Sequence, residues 1–321
     1  MRKSAVHHIN WFSALRAASK AMPLKYMSTA SKFRDVPRSR WIAVAALAIA
    51  TLCTAPARAQ DFPLQTADAE IIAPGTIRAQ AGFDFLQDTT FPLSGLSGDV
   101  TNVGDINLRM GVGRIVELQV QGMMQEFLSI KSQGASFVAL NLPNANSTYD
   151  IGDFSIWTKI RLVGEGNRRP SVAMRLGFLM PNSNQSRGIG TNTTNVYGEV
   201  ILEKHFGRLA VFSDLGIGIL TSPNALYSQN DEILYGLAFR YPLTRRFTLL
   251  GEVAGREDLR KINVALEGTQ SQGQARFGVQ LNASGFVWDF AGIAGLTKDD
   301  PHFGITFGVS KDIHLFNWDK M

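Results

Sequence analysis

The sequence predicts an all-β chain: a transmembrane antiparallel up-and-down β-barrel of about 12 strands, following a cleaved N-terminal signal peptide. Three observations predict it. Apolar and polar residues alternate with a period of two over stretches of about ten residues, the length a tilted strand needs to cross a bilayer. The connections between these stretches alternate between short turns and long loops rich in Asn, Ser, Thr and Gly. Every mid-strand charge falls on the polar phase.

The leading stretch, residues 1–59, is chemically distinct from the rest. It holds ten of the 32 Lys and Arg of the 321-residue chain, one acid (Asp35) and none of the 30 glycines. Arg38 and Arg40 precede an apolar run, Trp41 to Cys53, which ends at Thr54-Ala55-Pro56 and the small-residue pattern Ala57-Arg58-Ala59. This is the form of a secretory signal peptide cleaved between Ala59 and Gln60. The 13-residue run is too short for a transmembrane helix, which needs about 20 residues. Leu52 is too bulky for a lipoprotein signal at Cys53, and Met22 or Met27 is a better start than Met1. Removing the leader leaves 22 basic and 26 acidic residues, so the basic balance of the whole chain belongs to the leader and gives no reason to expect nucleic acid as a partner. Cys53 is the chain's single cysteine, so the mature part has no thiol for a disulfide, a metal-thiolate site or a nucleophile.

Residues 60–74 then read as a periplasmic N-terminal segment, and 75–321 as the barrel. The strands are expected near 75–86, 104–113, 115–124, 152–163, 171–180, 195–205, 209–220, 232–241, 247–255, 273–282, 286–295 and 302–311. In the first, Ile77, Ala79, Ala81, Phe83 and Phe85 oppose Arg78, Gln80, Gly82 and Asp84. In the last, Phe303, Ile305, Phe307 and Val309 oppose Gly304, Thr306, Gly308 and Ser310. A pleated strand sends each set to a single side. The turns Gly113-Arg114, Glu165-Gly166-Asn167, Phe206-Gly207-Arg208, Pro242-Leu243-Thr244 and Ala283-Ser284-Gly285 are short and periplasmic; the long loop from Gln125 to Asp150 faces outside. Aromatic residues gather near strand ends: Tyr241, Phe247, Phe286 and Trp288 at the periplasmic rim, Phe85, Phe178 and Phe303 at the outer rim.

Turning the apolar phase outward leaves Arg78, Asp84, Asp105, Arg109, Glu117, Lys159, Arg161, Arg175, Glu199, Glu203, Asp214, Arg240, Glu252, Arg276 and Asp289 facing a lumen. Seven are basic and eight acidic, a near balance that argues against strong ion selectivity. Pairing across the lumen is expected, for instance Asp105 with Arg109 and Arg240 with Glu252. Alternation alone would suit a soluble sandwich too, but strands of this length, the inward glycines and the aromatic girdles favour the membrane.

The mature histidines, His205, His302 and His314, read as scattered surface residues. No metal site, cofactor or catalytic residue is expected, and the absence of His-x-Ser argues against an outer-membrane lipase. The acid pairs Asp231-Glu232 and Asp299-Asp300 read as solvated loop charges.

Several stretches resemble a known family. Ala73-Pro74-Gly75-Thr76-Ile77-Arg78, Gly104-Asp105-Ile106-Asn107-Leu108, Arg169-Pro170-Ser171-Val172-Ala173-Met174 ending at Pro181, Tyr197-Gly198-Glu199 and Leu249-Leu250-Gly251-Glu252-Val253 are similar in order to the transporter-like outer-membrane barrels of the meta-pathway phenol-degradation family. Two departures are Pro181-Asn182-Ser183, where relatives carry Pro-Thr-Gly, and a chain that runs to Met321 rather than stopping at an aromatic. The resemblance implies a passive channel for small, aromatic or hydrophobic solutes in a Gram-negative outer membrane, and no catalytic residues. The expected partners are outer-membrane lipid and lipopolysaccharide, the barrel-assembly machinery and a small-molecule solute. The competing expectation is a structural or adhesive barrel with a closed lumen.

Overall fold

In a computed structural model the chain is described over residues 62–223, 229–259 and 270–315. The predicted cleavage at Ala59 and Gln60, and the signal peptide itself, lie outside the described residues.

The alternating segments form the strands β1 (Thr76–Phe91), β2 (Leu96–Gly111), β3 (Val116–Gln133), β4 (Ser147–Asp150), β5 (Phe154–Val163), β6 (Ser171–Met180), β7 (Asn195–Phe206), β8 (Leu209–Leu220), β9 (Asn230–Pro242), β10 (Phe247–Asp258), β11 (Gln272–Ala283), β12 (Phe286–Gly295) and β13 (Phe303–His314). Each long strand pairs antiparallel with its neighbours, and β1 pairs with β13, from Thr76 opposite His314 to Gln87 opposite Phe303. The β2–β3 pairing closes the ring, so twelve long strands form a barrel and the short β4 adds to the outer end of β3. Closure pairs each long strand on both sides across the ring, so no open sheet edge meets hydrocarbon, which could not satisfy one.

The surface is inside out relative to a soluble protein. Leu176, Val200, Leu215, Ile217, Leu237, Phe277 and Ile305 are exposed on the outer wall, while Arg109, Glu117, Lys159, Glu203 and Asp289 are buried. A sandwich in water would reverse this partition, since burying charge in place of leucine is costly. Among the described residues no helix is long and apolar enough to cross a membrane. The strands do so. Tyr241, Phe247 and Phe286 at one rim and Phe178 and Phe303 at the other are exposed in the expected girdle positions.

The expected strand positions hold, but the first three strands run further outward than expected. Residues expected to form a long outside loop between β1 and β2 are strand up to Phe91 and again from Leu96. The reason is visible in the register, which shifts between Gly82 and Phe83 and between Leu86 and Thr89. Asp88 has φ 55 and Gly104 φ 72. Such bulges put an extra residue in one strand and interrupt a strict two-residue pattern. The extended hairpin carries a small apolar core of Phe91, Leu96, Val100, Leu128 and Ile189, with Leu140 and Leu142 packed against it. Ser94 Oγ donates to the Gly188 carbonyl at 2.6 Å and Thr148 Oγ1 to that of Arg187 at 2.9 Å. The loop from Gln125 to Asp150 is therefore part of a folded outer cap.

A second correction concerns residues 62–74. They were expected in the periplasm; they lie inside the barrel. Phe62, Leu64, Ala67, Asp68, Ala69 and Ile72 are all buried. Gly75, at φ 73, turns the chain from this internal segment into β1, its N–H bonding the Gly111 carbonyl at 2.9 Å. A side chain at such a φ would be strained, which suits glycine.

Candidate functional site

The candidate site is the lumen with the segment that fills it. Residues 62–72 have no strand partner, so their backbone groups need other acceptors and donors once out of water. Wall carboxylates supply the acceptors. Glu252 accepts from the N–H of Gln65 at 2.8 Å and of Thr66 at 2.9 Å, and from Thr66 Oγ1 at 2.8 Å. Asp214 accepts from Ala67 N–H at 2.9 Å, Glu203 from Ala69 N–H at 2.9 Å, and Glu117 from Ile72 N–H at 2.8 Å. Wall donors take the carbonyls: Gln280 Nε2 donates to Phe62 O at 2.9 Å and Arg276 Nη1 to Pro63 O at 2.8 Å. Hydrogen bonds to charged groups contribute roughly 1.5–3 kcal/mol each, more than neutral ones.

Asp68 is the electrostatic centre. Lys159 Nζ donates to its carboxylate and its carbonyl, both at 3.1 Å; Arg109 Nη2 stands 3.4 Å and Arg240 Nη1 3.5 Å from the carboxylate. Three wall cations thus converge on one plug anion. The same cations hold wall acids: Arg109 Nε to Glu117 at 2.6 Å, Lys159 to Glu117 at 3.6 Å and Arg240 to Glu203 at 3.3 Å. Both expected pairs are therefore replaced. Arg109 pairs with Glu117 and Asp68 rather than Asp105, and Arg240 with Glu203 and Asp68 rather than Glu252. Arg276 faces Glu252 at 3.6 Å.

The inward face also carries apolar pockets that the sequence reading missed. Leu64 packs with Phe212, Ala238 and Leu250, and Ala67 and Ala69 pack with Ala173 and Ile201. Phe62 lies against Gly82 and Gly308, where a Cβ at Gly82 would come within 2.6 Å of the phenyl ring. Glycine at those two positions makes room for the plug's aromatic tip.

The remaining inward residues are placed as follows. Arg78 makes a bidentate pair with Asp312 at 2.6 and 2.9 Å near the periplasmic end of β1. Arg175 pairs with Glu199 at 2.7 Å and lies 4.2 Å above the Trp157 ring, which stacks on Tyr197 at 5.5 Å. Trp157 and Tyr197 give the lumen an aromatic wall; the sequence reading did not single out Trp157, and it named Tyr197 only within a family-like motif. Asp84 and Asp289 are buried and Asp105 half-buried on the inward face. Arg161 stands apart: it donates to the Arg114 carbonyl at 3.0 Å and caps a rim turn instead of lining the lumen.

The acid pairs are not solvated loop charges throughout. Glu232 is fully buried, 3.6 Å from Arg256, and Asp300 braces its own turn by accepting from Gly273 N–H at 2.8 Å and Thr297 Oγ1 at 2.7 Å.

His205 is also not a lone surface histidine. Its Nε2 stands 3.9 Å from Glu203 Oε1, and one ligand atom from each of Glu70, Glu203 and His205 lies within 4.8 Å of the others. Its Nδ1 bonds Glu165 at 2.7 Å. The Lys204 ammonium and the His205 backbone N–H hold the Glu165 carboxyl down to about 2, so it is ionised. The spacing of Glu203 and His205 on one inward phase was present in the sequence; the arrival of Glu70 was not.

No protein-family model and no curated protein matches the chain, so the resemblance to phenol-degradation barrels gains no support from either comparison. Solved structures do match. An outer membrane channel from Pseudomonas putida F1 is similar at a TM-score of 0.55 and 12% identity, covering 78% of this chain and 100% of that one. The translocator domain of the autotransporter NalP from Neisseria meningitidis aligns at 0.44 and 14% identity over 76% of this chain and 90% of its own. OprD from Pseudomonas aeruginosa aligns at 0.32 and 6% identity, over 77% and 97%. At these identities the likeness concerns the fold, which is that of a bacterial outer-membrane β-barrel.

Proposed function

We propose that the chain is a non-enzymatic outer-membrane channel for small aromatic or hydrophobic solutes, gated by its own residues 62–72. The observation that carries this reading is how the segment is held. It is not a strand of the wall, and it is bound by hydrogen bonds and ion pairs from side chains of the wall, all of them reversible. A structural filler would be served by side chains that simply packed the lumen. Here the wall adds to its apolar pockets carboxylates that accept from backbone amides, an arrangement water can replace when the segment leaves. Trp157 is buried between Tyr197 and the Arg175 guanidinium, so an aromatic solute reaches this stack by taking the place of Arg175.

The test is solute flux into liposomes carrying the processed protein or a variant lacking residues 62–72, with the heat-modifiable folded form confirmed for each. The reading expects the deletion to raise flux about tenfold or more. A folded deletion variant no more permeable than empty liposomes would contradict it.

A second reading, a closed barrel whose outer loops serve adhesion, is favoured by one observation: the buried cap of Phe91, Leu96, Leu128 and Ile189 at the outer end. It predicts that deletion of residues 62–72 leaves permeability unchanged and that loss of the cap abolishes surface binding.

A further inference from the structure

We infer that Glu70, Glu203 and His205 form a site for a divalent transition metal of the zinc type, which ties the lumen segment to the barrel wall at the periplasmic mouth. The inference stands apart from solute passage and holds whether or not the channel opens.

Three potential ligand atoms converge at the end of β7. His205 Nδ1 lies 2.7 Å from a carboxylate oxygen of Glu165. Nε2, the other ring nitrogen, stands 3.9 Å from Glu203 Oε1. That separation is too long for a hydrogen bond. Glu70, reaching in from the lumen segment, adds a third ligand atom, all three within 4.8 Å of one another. Ligands on a tetrahedral zinc stand roughly 3.3 Å apart, given bonds of about 2.0–2.2 Å to imidazole nitrogen and carboxylate oxygen. Shifts of about 1 Å or less in two exposed side chains, Glu70 and His205, close that gap; the third, Glu203, is already fixed by Ala69 N–H at 2.9 Å.

Two features beyond the three ligands point the same way. A carboxylate on the far nitrogen of a ligand imidazole fixes its tautomer and raises its basicity, and zinc-bound histidines characteristically have one. Glu165 is placed to do this, and it is itself anchored by Lys204 at 2.7 Å. The three donors, one nitrogen and two carboxylate oxygens, leave a fourth position for water. The neighbouring charges are Arg240, 3.3 Å from Glu203 Oε1, and Asp68 and Lys159 deeper in the lumen. Arg240 neutralises part of Glu203, so the site carries less negative charge than three free ligands would suggest. This favours a transition metal that bonds to imidazole over calcium, which wants six or more oxygens.

The consequence is mechanical. Glu70 lies on the segment that fills the lumen, whereas Glu203 and His205 lie on β7. A metal bound by all three joins the two by bonds that hydrogen exchange can follow.

The test uses the processed protein in detergent, stripped with chelator and titrated with Zn2+ against a chromophoric competitor. The expected result is one zinc per chain, with affinity about tenfold or more weaker in His205→Ala and in Glu70→Gln, and unchanged in His302→Ala. Glu165→Gln, which keeps an oxygen at Nδ1 but removes the charge, weakens the same single site about tenfold. Amide exchange of residues 65–70 slows with zinc in the wild type and not in Glu70→Gln. All variants must retain the heat-modifiable form, which is expected because His205 and Glu70 are exposed. Zinc bound no better by the wild type than by His205→Ala overturns the site. Zinc bound equally by Glu70→Gln and the wild type overturns the tie to the lumen segment.

Discussion

At the scale of single residues, the lumen charges act chiefly as receptors for the chain's own backbone. Lys159 shows why. It is fully buried, within 3.1 Å of Asp68 and 3.6 Å of Glu117. Removing it would leave those carboxylates short of a cation in a place with little water. Lys159→Met is therefore expected to destabilise the folded barrel by about 3–5 kcal/mol, and Asp68→Asn in the same chain should restore part of the loss. Urea unfolding in detergent measures both, and additive effects would contradict the coupling. Gly82 offers a complementary probe, because the side chain nearest a new Cβ belongs to Phe62 of the lumen segment. Gly82→Ala should leave the wall intact and speed amide exchange of residues 64–69 about tenfold. Unchanged exchange would mean that Phe62 does not seat there. Parity places most of the individual charged residues inward, though not Arg161, which caps a rim turn. The partners of these residues were not legible in the sequence. Asp68 meets Arg109, Lys159 and Arg240 across large separations in sequence, and nothing in the local pattern encodes such a meeting.

At the scale of elements, each strand declares its two faces and hides its length. Leu215 lies mid-way along β8, among the most exposed apolar residues of the outer wall. Leu215→Arg should cost about 2–4 kcal/mol because it places a cation against hydrocarbon, read as loss of the folded band after assembly. A variant that assembles as well as the wild type would mean that this face does not meet lipid. The twelve crossings were readable because lipid imposes alternation on every one of them. The outward extension of β1, β2 and β3 was not, because beyond the bilayer no such demand acts and bulges at Gly82 and Asp88 break the parity. The segment 62–72 was unreadable for a related reason. FPLQTADAEII has neither a two-residue nor a helical period, since each residue answers to a different patch of the wall and not to a repeating neighbour.

At the scale of the whole molecule, the barrel is a wall whose two ends are treated differently. The outer end carries a folded cap built on Phe91, Leu96, Leu128 and Ile189. The periplasmic end admits the N-terminal segment, which bonds to β3, β5, β7, β8, β10 and β11 through Glu117, Lys159, Glu203, Asp214, Glu252 and Arg276. Binding so many strands at once, the segment also braces the ring from within, and its departure would free much of the inward charge for water. The account turns on whether that departure governs passage. Residues 60–321 contain no cysteine, so a pair can be introduced cleanly. Ala67, on the segment, and Ala173, on β6, pack in one buried cluster. The deciding measurement is planar-bilayer conductance of the Ala67→Cys, Ala173→Cys double variant, recorded oxidised and then after reduction on the same membrane. The account predicts few or no openings while the disulfide holds and recovery of wild-type openings once it is reduced. Equal conductance in the two states would contradict it.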